Sequence, residues 1–151
     1  MLEVSLRWPK ANSPMDISII SKLNESQIEK LHMLYQNEWF TKGRSIDDVR
    51  RMLDNTTFVF GFCVPDSGEL IGFARVISDS VYKAFIFDVI VDPCFRNNGL
   101  GHFIMDTIFR HPVLEKVSHI ELYCPEKLFS FYEPMGFHKR TSLLLRRESN
   151  H

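Results

Sequence analysis

Val89-Ile90-Val91-Asp92-Pro93-Cys94-Phe95-Arg96-Asn97-Asn98-Gly99-Leu100-Gly101 is the most specific pattern in the chain. An apolar run ends at Val91, a turn rich in Asn and Gly follows, and an amphipathic helix begins at Leu100, with Phe103, Ile104 and Ile108 on the same face. Residues that tolerate positive φ let several backbone N–H groups point into one concavity. A helix N-terminus adds free donors and partial positive charge, and Arg96 adds a forked cation. Two readings fit this spacing: a cradle for a pyrophosphate, or a strand-to-helix turn that needs glycine for packing. A P-loop is excluded because no Lys follows the glycines. A dinucleotide fingerprint fails at its third glycine, where Ile104 stands, and it would follow the first strand of a fold rather than the end of a meander.

Three strands lead into this turn. Thr57 to Val64, Glu69 to Ile77 and Tyr82 to Val91 are apolar runs separated by Pro65-Asp66-Ser67-Gly68 and by Asp79-Ser80. These are turn sequences, so the strands form an antiparallel meander. Upstream, Asp16 to Leu23 reads as a first strand. Asn24 with Gln27 three residues on is a helix-start pattern, and Ser45-Ile46-Asp47-Asp48 opens a second helix. Downstream come a strand from Val117 to Cys124, a short helix from Pro125 to Pro134 and a last strand from Phe137 to Leu145. The first fifteen residues, with Pro9, Asn12, Ser13 and Pro14, read as a loosely held lead-in. The order β-α-α-β-β-β-α-β-α-β predicts an α/β fold of the α+β type, with a mixed, mainly antiparallel central sheet and helices on both faces.

Composition bounds the function. A chain of 151 residues has room for one domain, expected to span 1–151. Eighteen Lys plus Arg against nineteen Asp plus Glu give no basic excess for a nucleic acid or an anionic membrane. Three cysteines without C-x-x-C spacing give neither a disulfide framework nor a zinc pattern, so no metal is expected. The N-terminus lacks the pattern of a signal peptide and no apolar run is long enough to span a bilayer, so a reducing, cytoplasmic location is expected.

Val91-Asp92-Pro93 followed by Arg96-Asn97-Asn98-Gly99-Leu100-Gly101 resembles the V-x-P…[RQ]-x-x-G-x-[GA] segment of the GNAT N-acetyltransferase superfamily. Phe131-Tyr132-Glu133-Pro134-Met135-Gly136-Phe137 resembles that family's F-Y-E-x-x-G-F segment. Two motifs in the right order and separation are more specific than either alone, and the element order agrees with the family fold. The resemblance implies acetyl-CoA as co-substrate. Its diphosphate is expected on Arg96, Asn97, Asn98, Gly99, Leu100, Gly101 and His102, and its pantetheine arm along the main chain of Val89, Ile90 and Val91. It also implies direct attack by a primary amine on the thioester, with Tyr132 as the acid for the departing thiolate.

Asp88, the acid inside an apolar strand, reads either as a base with a raised pKa or as a carboxylate paired with a cation such as Arg75. Glu38 and Trp39 lie where the family builds its acceptor wall. Glu38 reads as an amine ligand or a solvated charge, and Trp39 as a recognition or a packing residue. Pro125 and Leu128 depart from the Asn and Ala that many members carry there. The implied acceptor is a small-molecule or peptide amine. The competing function is a non-catalytic acyl-CoA-binding module.

Overall fold

Six strands form one sheet in the order of their sequence: β1 (Val4–Trp8), β2 (Met15–Ile20), β3 (Phe58–Cys63), β4 (Leu70–Ser78), β5 (Lys83–Val91) and β6 (His119–Glu121). This is a computed structural model, and it describes residues 4–8 and 15–150. Every neighbouring pair is antiparallel except β5 with β6, which run parallel. The expected mixed, mainly antiparallel sheet is therefore present.

Alternation along the strands sends side chains to two cores. On one face, Leu70, Phe73 and Ile90 meet Leu31, Leu34 and Tyr35 of α1 (Glu25–Gln36) and Val49 of α2 (Ile46–Asp54). On the other, Phe60, Phe62, Ile71, Ala74 and Ile86 pack against Leu100, Ile104 and Ile108 of α3 (Leu100–Phe109) and against Tyr132, the last residue of the short α4 (Phe129–Tyr132). Burying each large apolar side chain stabilises the fold by roughly 1.5–3 kcal/mol, so these two layers carry most of its stability.

The helix starts follow the local chemistry. Asn24 accepts from the Gln27 N–H at 2.9 Å and the Gln27 side chain accepts from the Asn24 N–H at 2.8 Å, a reciprocal cap. Ser45 caps α2 through the Asp48 N–H at 3.1 Å. At the far end of α1 the Thr41 hydroxyl donates to the Tyr35 carbonyl at 2.9 Å, which fixes the loop carrying Glu38 and Trp39.

Four sequence expectations are corrected. Val4–Trp8, expected inside a loose lead-in, is a strand paired with β2; residues 1–3 and 9–14 of that lead-in lie outside the described residues. The first strand of the reading is β2, which stops at Ile20 rather than Leu23. The strand expected over Val117 to Cys124 shortens to three residues. No strand forms over Phe137 to Leu145, and Leu143, Leu144 and Leu145 are 84%, 67% and 85% exposed. Three consecutive leucines do not alternate, so a strand through them would send apolar side chains to both faces, and β6, the strand that precedes it, is only three residues long.

Candidate active site

Pairing between β5 and β6 ends at Phe85 and Glu121, whereas β5 continues to Val91. The two parallel strands therefore part, and the last six residues of β5 have an edge that β6 does not cover. On its other side β5 pairs with β4 as Gly72 with Val91, Phe73 with Ile90 and Arg75 with Phe87. Ala74 thus faces two residues, Asp88 and Val89, which is a β-bulge. Asp88 takes the strain of it, with φ +54.

Beyond the bulge the main-chain groups sort by direction. The Asp92 N–H donates to the Ile71 carbonyl at 2.8 Å, toward β4. Antiparallel alternation then turns the N–H and C=O of Val91 away from β4 and those of Ile90 toward it. Val89 and Val91 present their main chain to the uncovered edge. Ile90, expected to do the same, spends its main chain on β4 and buries its side chain to 2% exposure.

The turn is pinned at its start. Asp92 is buried, accepts from the Cys94 N–H at 2.8 Å and pairs with Lys30 of α1 at 2.7 Å. Burial would raise its pKa, but the Lys30 and Cys94 hydrogen bonds outweigh that and hold it below the ordinary carboxylate range. Two residues then take the left-handed conformation, Asn97 at φ +62 and Gly99 at φ +83. Gly99 precedes α3 with no side-chain cap, so the first turn, Leu100 to His102, keeps donors for a ligand. Gly101 is needed for a different reason than Gly99: a Cβ there would stand 3.2 Å from the Phe131 ring, which packs edge-on to His102 at 4.7 Å. A groove of about 500 Å³ opens from Gly99 and His102 along Phe103, Asp106 and Phe109 to Met135.

Arg96 belongs to the turn, but its guanidinium points back. Nε donates to the Val91 carbonyl at 3.0 Å, and Nη2 pairs with Glu38 at 2.5 Å. The Glu38 carboxylate is therefore neither a solvated charge nor an open amine ligand. Trp39 is 70% exposed and touches Phe40 edge-on at 5.6 Å, so it is not a packing residue.

Tyr132 lies in the core that α3 shares with the sheet, 8% exposed, with Phe131 and Phe137 edge-on to its ring at 4.9 and 5.8 Å. Among the described residues its hydroxyl has no hydrogen-bond partner. Burial, aided by the neighbouring Cys124, pushes its pKa up to about 12. The phenol therefore stays protonated through the neutral range.

The fold that carries this turn and strand edge matches a known architecture. The family model for the acetyltransferase (GNAT) family covers residues 25–137. The chain belongs to the GNAT family. GCN5-related N-acetyltransferase 1, chloroplastic, of Arabidopsis thaliana is 37% identical over 67 residues, 44% of this chain and 34% of that protein. An uncharacterized ycf52-like N-acetyltransferase of Prochlorococcus marinus is 29% identical over 121 residues, 79% of this chain and 67% of that protein. A solved structure of a Xanthomonas campestris protein assigned to the GNAT family superposes with a TM-score of 0.76 at 28% identity, covering 87% of this chain and 93% of that one. The alignment spans about a third of the Arabidopsis protein, so the match is to one part of a longer relative.

The geometry of this GNAT chain also overturns the catalytic reading of Asp88. Asp88 is not a base with a raised pKa. Its carboxylate accepts from Arg44 at 2.7 and 3.4 Å, from Arg75 Nε at 2.7 Å and from the Tyr35 hydroxyl at 3.0 Å. Burial pushes its pKa up, and the two guanidiniums more than reverse this, leaving it below the ordinary value. The sequence reading named Arg75 as a partner but missed Arg44 and Tyr35. Both lie on or just after α1, more than forty residues from Asp88, where no sequence period connects them to it.

Proposed function

We propose that this GNAT chain moves the acetyl group of acetyl-CoA to a primary amine by direct attack, with no covalent enzyme intermediate. The observation that carries the reading is the bared edge of β5 running straight into an uncapped helix N-terminus at Gly99. Strand edges bind extended ligands through main-chain hydrogen bonds, and helix N-termini bind phosphates. The residues fit coenzyme A: Val89 and Val91 for the pantetheine amides, Asn97 to His102 for the diphosphate, with Arg96 adjacent.

Acetyl-CoA supplies an activated thioester. The chain's own groups do the rest. An outward N–H of Val89 or Val91 polarises the acyl oxygen. Tyr132, protonated and without a hydrogen-bond partner among the described residues, donates to the leaving sulfur. The proton that the attacking nitrogen sheds as the amide forms passes to water, from which the phenolate is reprotonated. Asp88 is held in its ion pair and takes no proton from the acceptor. The amine therefore attacks from the fraction that is already neutral in solution, a small one at pH 7 for an amine of pKa about 10.4. Cys124 needs no part, since burial pushes its thiol pKa up and disfavours the thiolate. A cytoplasmic location remains part of this proposal, supported by the odd count of three cysteines.

Two measurements test it. Acetyl-CoA at ~100 times its dissociation constant should stabilise the fold by about 2.7 kcal/mol. Thiol release should then depend on an added amine. Stabilisation without release, across amines of differing charge, would favour the non-catalytic acyl-CoA-binding module. No stabilisation would overturn both readings.

A further inference from the structure

We propose that the acceptor amine also carries an anionic group, a carboxylate or a phosphate, which binds Arg75 with the help of Arg44 beside the β5 bulge. The proposal rests on the acetyltransferase reading above and names the substrate class of that site.

Arg44 and Arg75 both bond to the single carboxylate of Asp88, so the cluster carries one cationic charge in excess. Asp88 Oδ2 already accepts from Tyr35, Arg44 and Arg75, which leaves little capacity to take a further cation. The other carboxylates around β5 are committed as well: Glu38 to Arg96, Glu121 to Lys83 and Asp92 to Lys30. An acceptor bearing only ammonium groups would find a cationic cluster and no spare carboxylate.

Arg75 shows where an anion would go. It uses Nε alone on Asp88, and among the described residues neither of its Nη groups has a hydrogen-bond partner. Yet its side chain is only 11% exposed, and the guanidinium lies 4.7 Å from the centre of the Phe87 ring. A largely buried arginine whose two terminal nitrogens are unspent and reach the surface is a fork suited to bidentate capture of a carboxylate or phosphate. Arg44, 31% exposed, is the second cation of the same cluster.

Position ties this fork to the chemistry. Asp88 lies within the bared edge and directly precedes Val89, whose main chain faces outward. The rings of Phe85, Phe87 and Tyr123 form a triangle with centroids 4.9, 5.3 and 6.0 Å apart on the same side of the sheet. Tyr123 is 55% exposed, so this wall is open to a small molecule. An anionic amine with an apolar or aromatic body matches both features.

The test uses matched acceptors that differ only in the anion: phenylalanine against phenethylamine, and phosphoethanolamine against ethanolamine. Thiol release from acetyl-CoA is measured for each. In parallel, the protein saturated with coenzyme A is melted with N-acetylphenylalanine, N-acetylphenethylamine and the N-acetylated forms of the other pair, which reports binding without turnover. The expected result is a preference of at least ~10-fold in kcat/KM for the anionic member of one pair, matched by stabilisation by its acetylated product. Which pair responds separates carboxylate from phosphate. Arg75→Lys keeps a cation for Asp88 but removes the fork, and should erase the preference while acetyl-CoA still stabilises the protein. Equal or better use of the neutral members overturns the proposal. So does a preference that survives Arg75→Lys, or a full set of anionic compounds that neither react nor stabilise. If Arg75→Lys does not fold, the wild-type pairs decide alone. Failure of acetyl-CoA itself to stabilise the wild-type protein would instead overturn the acetyltransferase reading beneath it.

Discussion

Arg96 bridges the Val91 carbonyl at 3.0 Å and the Glu38 carboxylate, so one side chain spans the end of the strand edge and the loop after α1. On the proposed binding mode both contacts would compete with coenzyme A: Val91 for its pantetheine amides, Arg96 for its diphosphate. Glu38→Gln removes the negative partner and should free Arg96 for the ligand. The apparent affinity for acetyl-CoA should then rise a few-fold at low salt, and the gain should shrink as salt screens the exposed pair. Arg96→Gln should weaken binding. A Glu38→Gln protein that binds acetyl-CoA normally but raises the KM of the amine would return Glu38 to an acceptor role.

Asp88→Asn separates an ion-pair hub from a base. Removing the charge leaves Arg44 and Arg75 beside a neutral amide, and breaking such a buried pair costs roughly 3–5 kcal/mol. At ~2–4 °C per kcal/mol for a domain of this size, the melting temperature should fall by about 10 °C. The linkage has a definite sign. The folded pKa values of Asp88 and Asp92 are depressed, so their stabilisation is complete above the unfolded value of about 3.9. It is lost as pH falls below that, through the folded values. The wild type should therefore hold its stability to near pH 4 and lose it steeply beneath. The Asp88→Asn protein should show a shallower loss.

Turnover should follow the acceptor's own ionisation. With no carboxylate serving as base, kcat/KM for an alkylamine should rise about tenfold per pH unit from pH 6 toward the amine pKa, near 10.4 for a Lys-like acceptor. Tyr132, with a pKa of about 12, adds no falling limb below that. A plateau beginning between pH 6 and 8 would reveal an enzyme base that the geometry does not identify.

Gly99 and Gly101 should fail differently. Gly99→Val forces a β-branched residue toward φ +83 at the helix entry, which should lower coenzyme A affinity at least ~10-fold in a protein that still folds. Gly101 has no such dihedral demand. A Cβ there meets Phe131, which is held between His102 and Tyr132. Gly101→Ala should therefore cost about 1–3 kcal/mol through overpacking, with a smaller effect on affinity per folded molecule. Calorimetric binding and thermal melts on the two variants distinguish these outcomes.

What the sequence made legible follows from which forces are local. Asn24 with Gln27, Ser45 with Asp48, and the Gly99 entry to α3 are caps and turns set by a few neighbouring residues, and each stands as read. The meander was visible because its turns carry their own chemistry. The β5 bulge was not, because it takes a count of partners across two strands to see that Ala74 faces both Asp88 and Val89. For the same reason Ile90 was grouped with its neighbours, although alternation points its main chain the other way. The Leu143 to Leu145 segment misled in the opposite sense: its apolar composition suggests a strand, but β6, the strand before it, is only three residues long and the leucines stay exposed. The cation cluster at Asp88 lay beyond reach, since it is assembled from α1, the loop before α2, β4 and β5.

Tyr132 carries the most direct test of the chemistry. Its ring packs against Phe131 and Phe137, so a purely structural role predicts that losing the hydroxyl changes little, because the hydroxyl has no hydrogen-bond partner among the described residues. A donor role predicts the reverse pattern. Tyr132→Phe keeps the ring and its edge contacts and removes only the proton. The melting temperature should stay within a degree or two. Acetyl-CoA affinity should hold, because the hydrogen bond matters chiefly as charge develops on sulfur. General-acid catalysis contributes ~100-fold or more, so kcat should fall on that scale. The loss should shrink for a thioester whose thiol is more acidic, since a better leaving group needs less help. Wild-type kcat in the Tyr132→Phe protein, with chemistry shown to limit turnover, would leave the thiolate to depart without an enzyme acid.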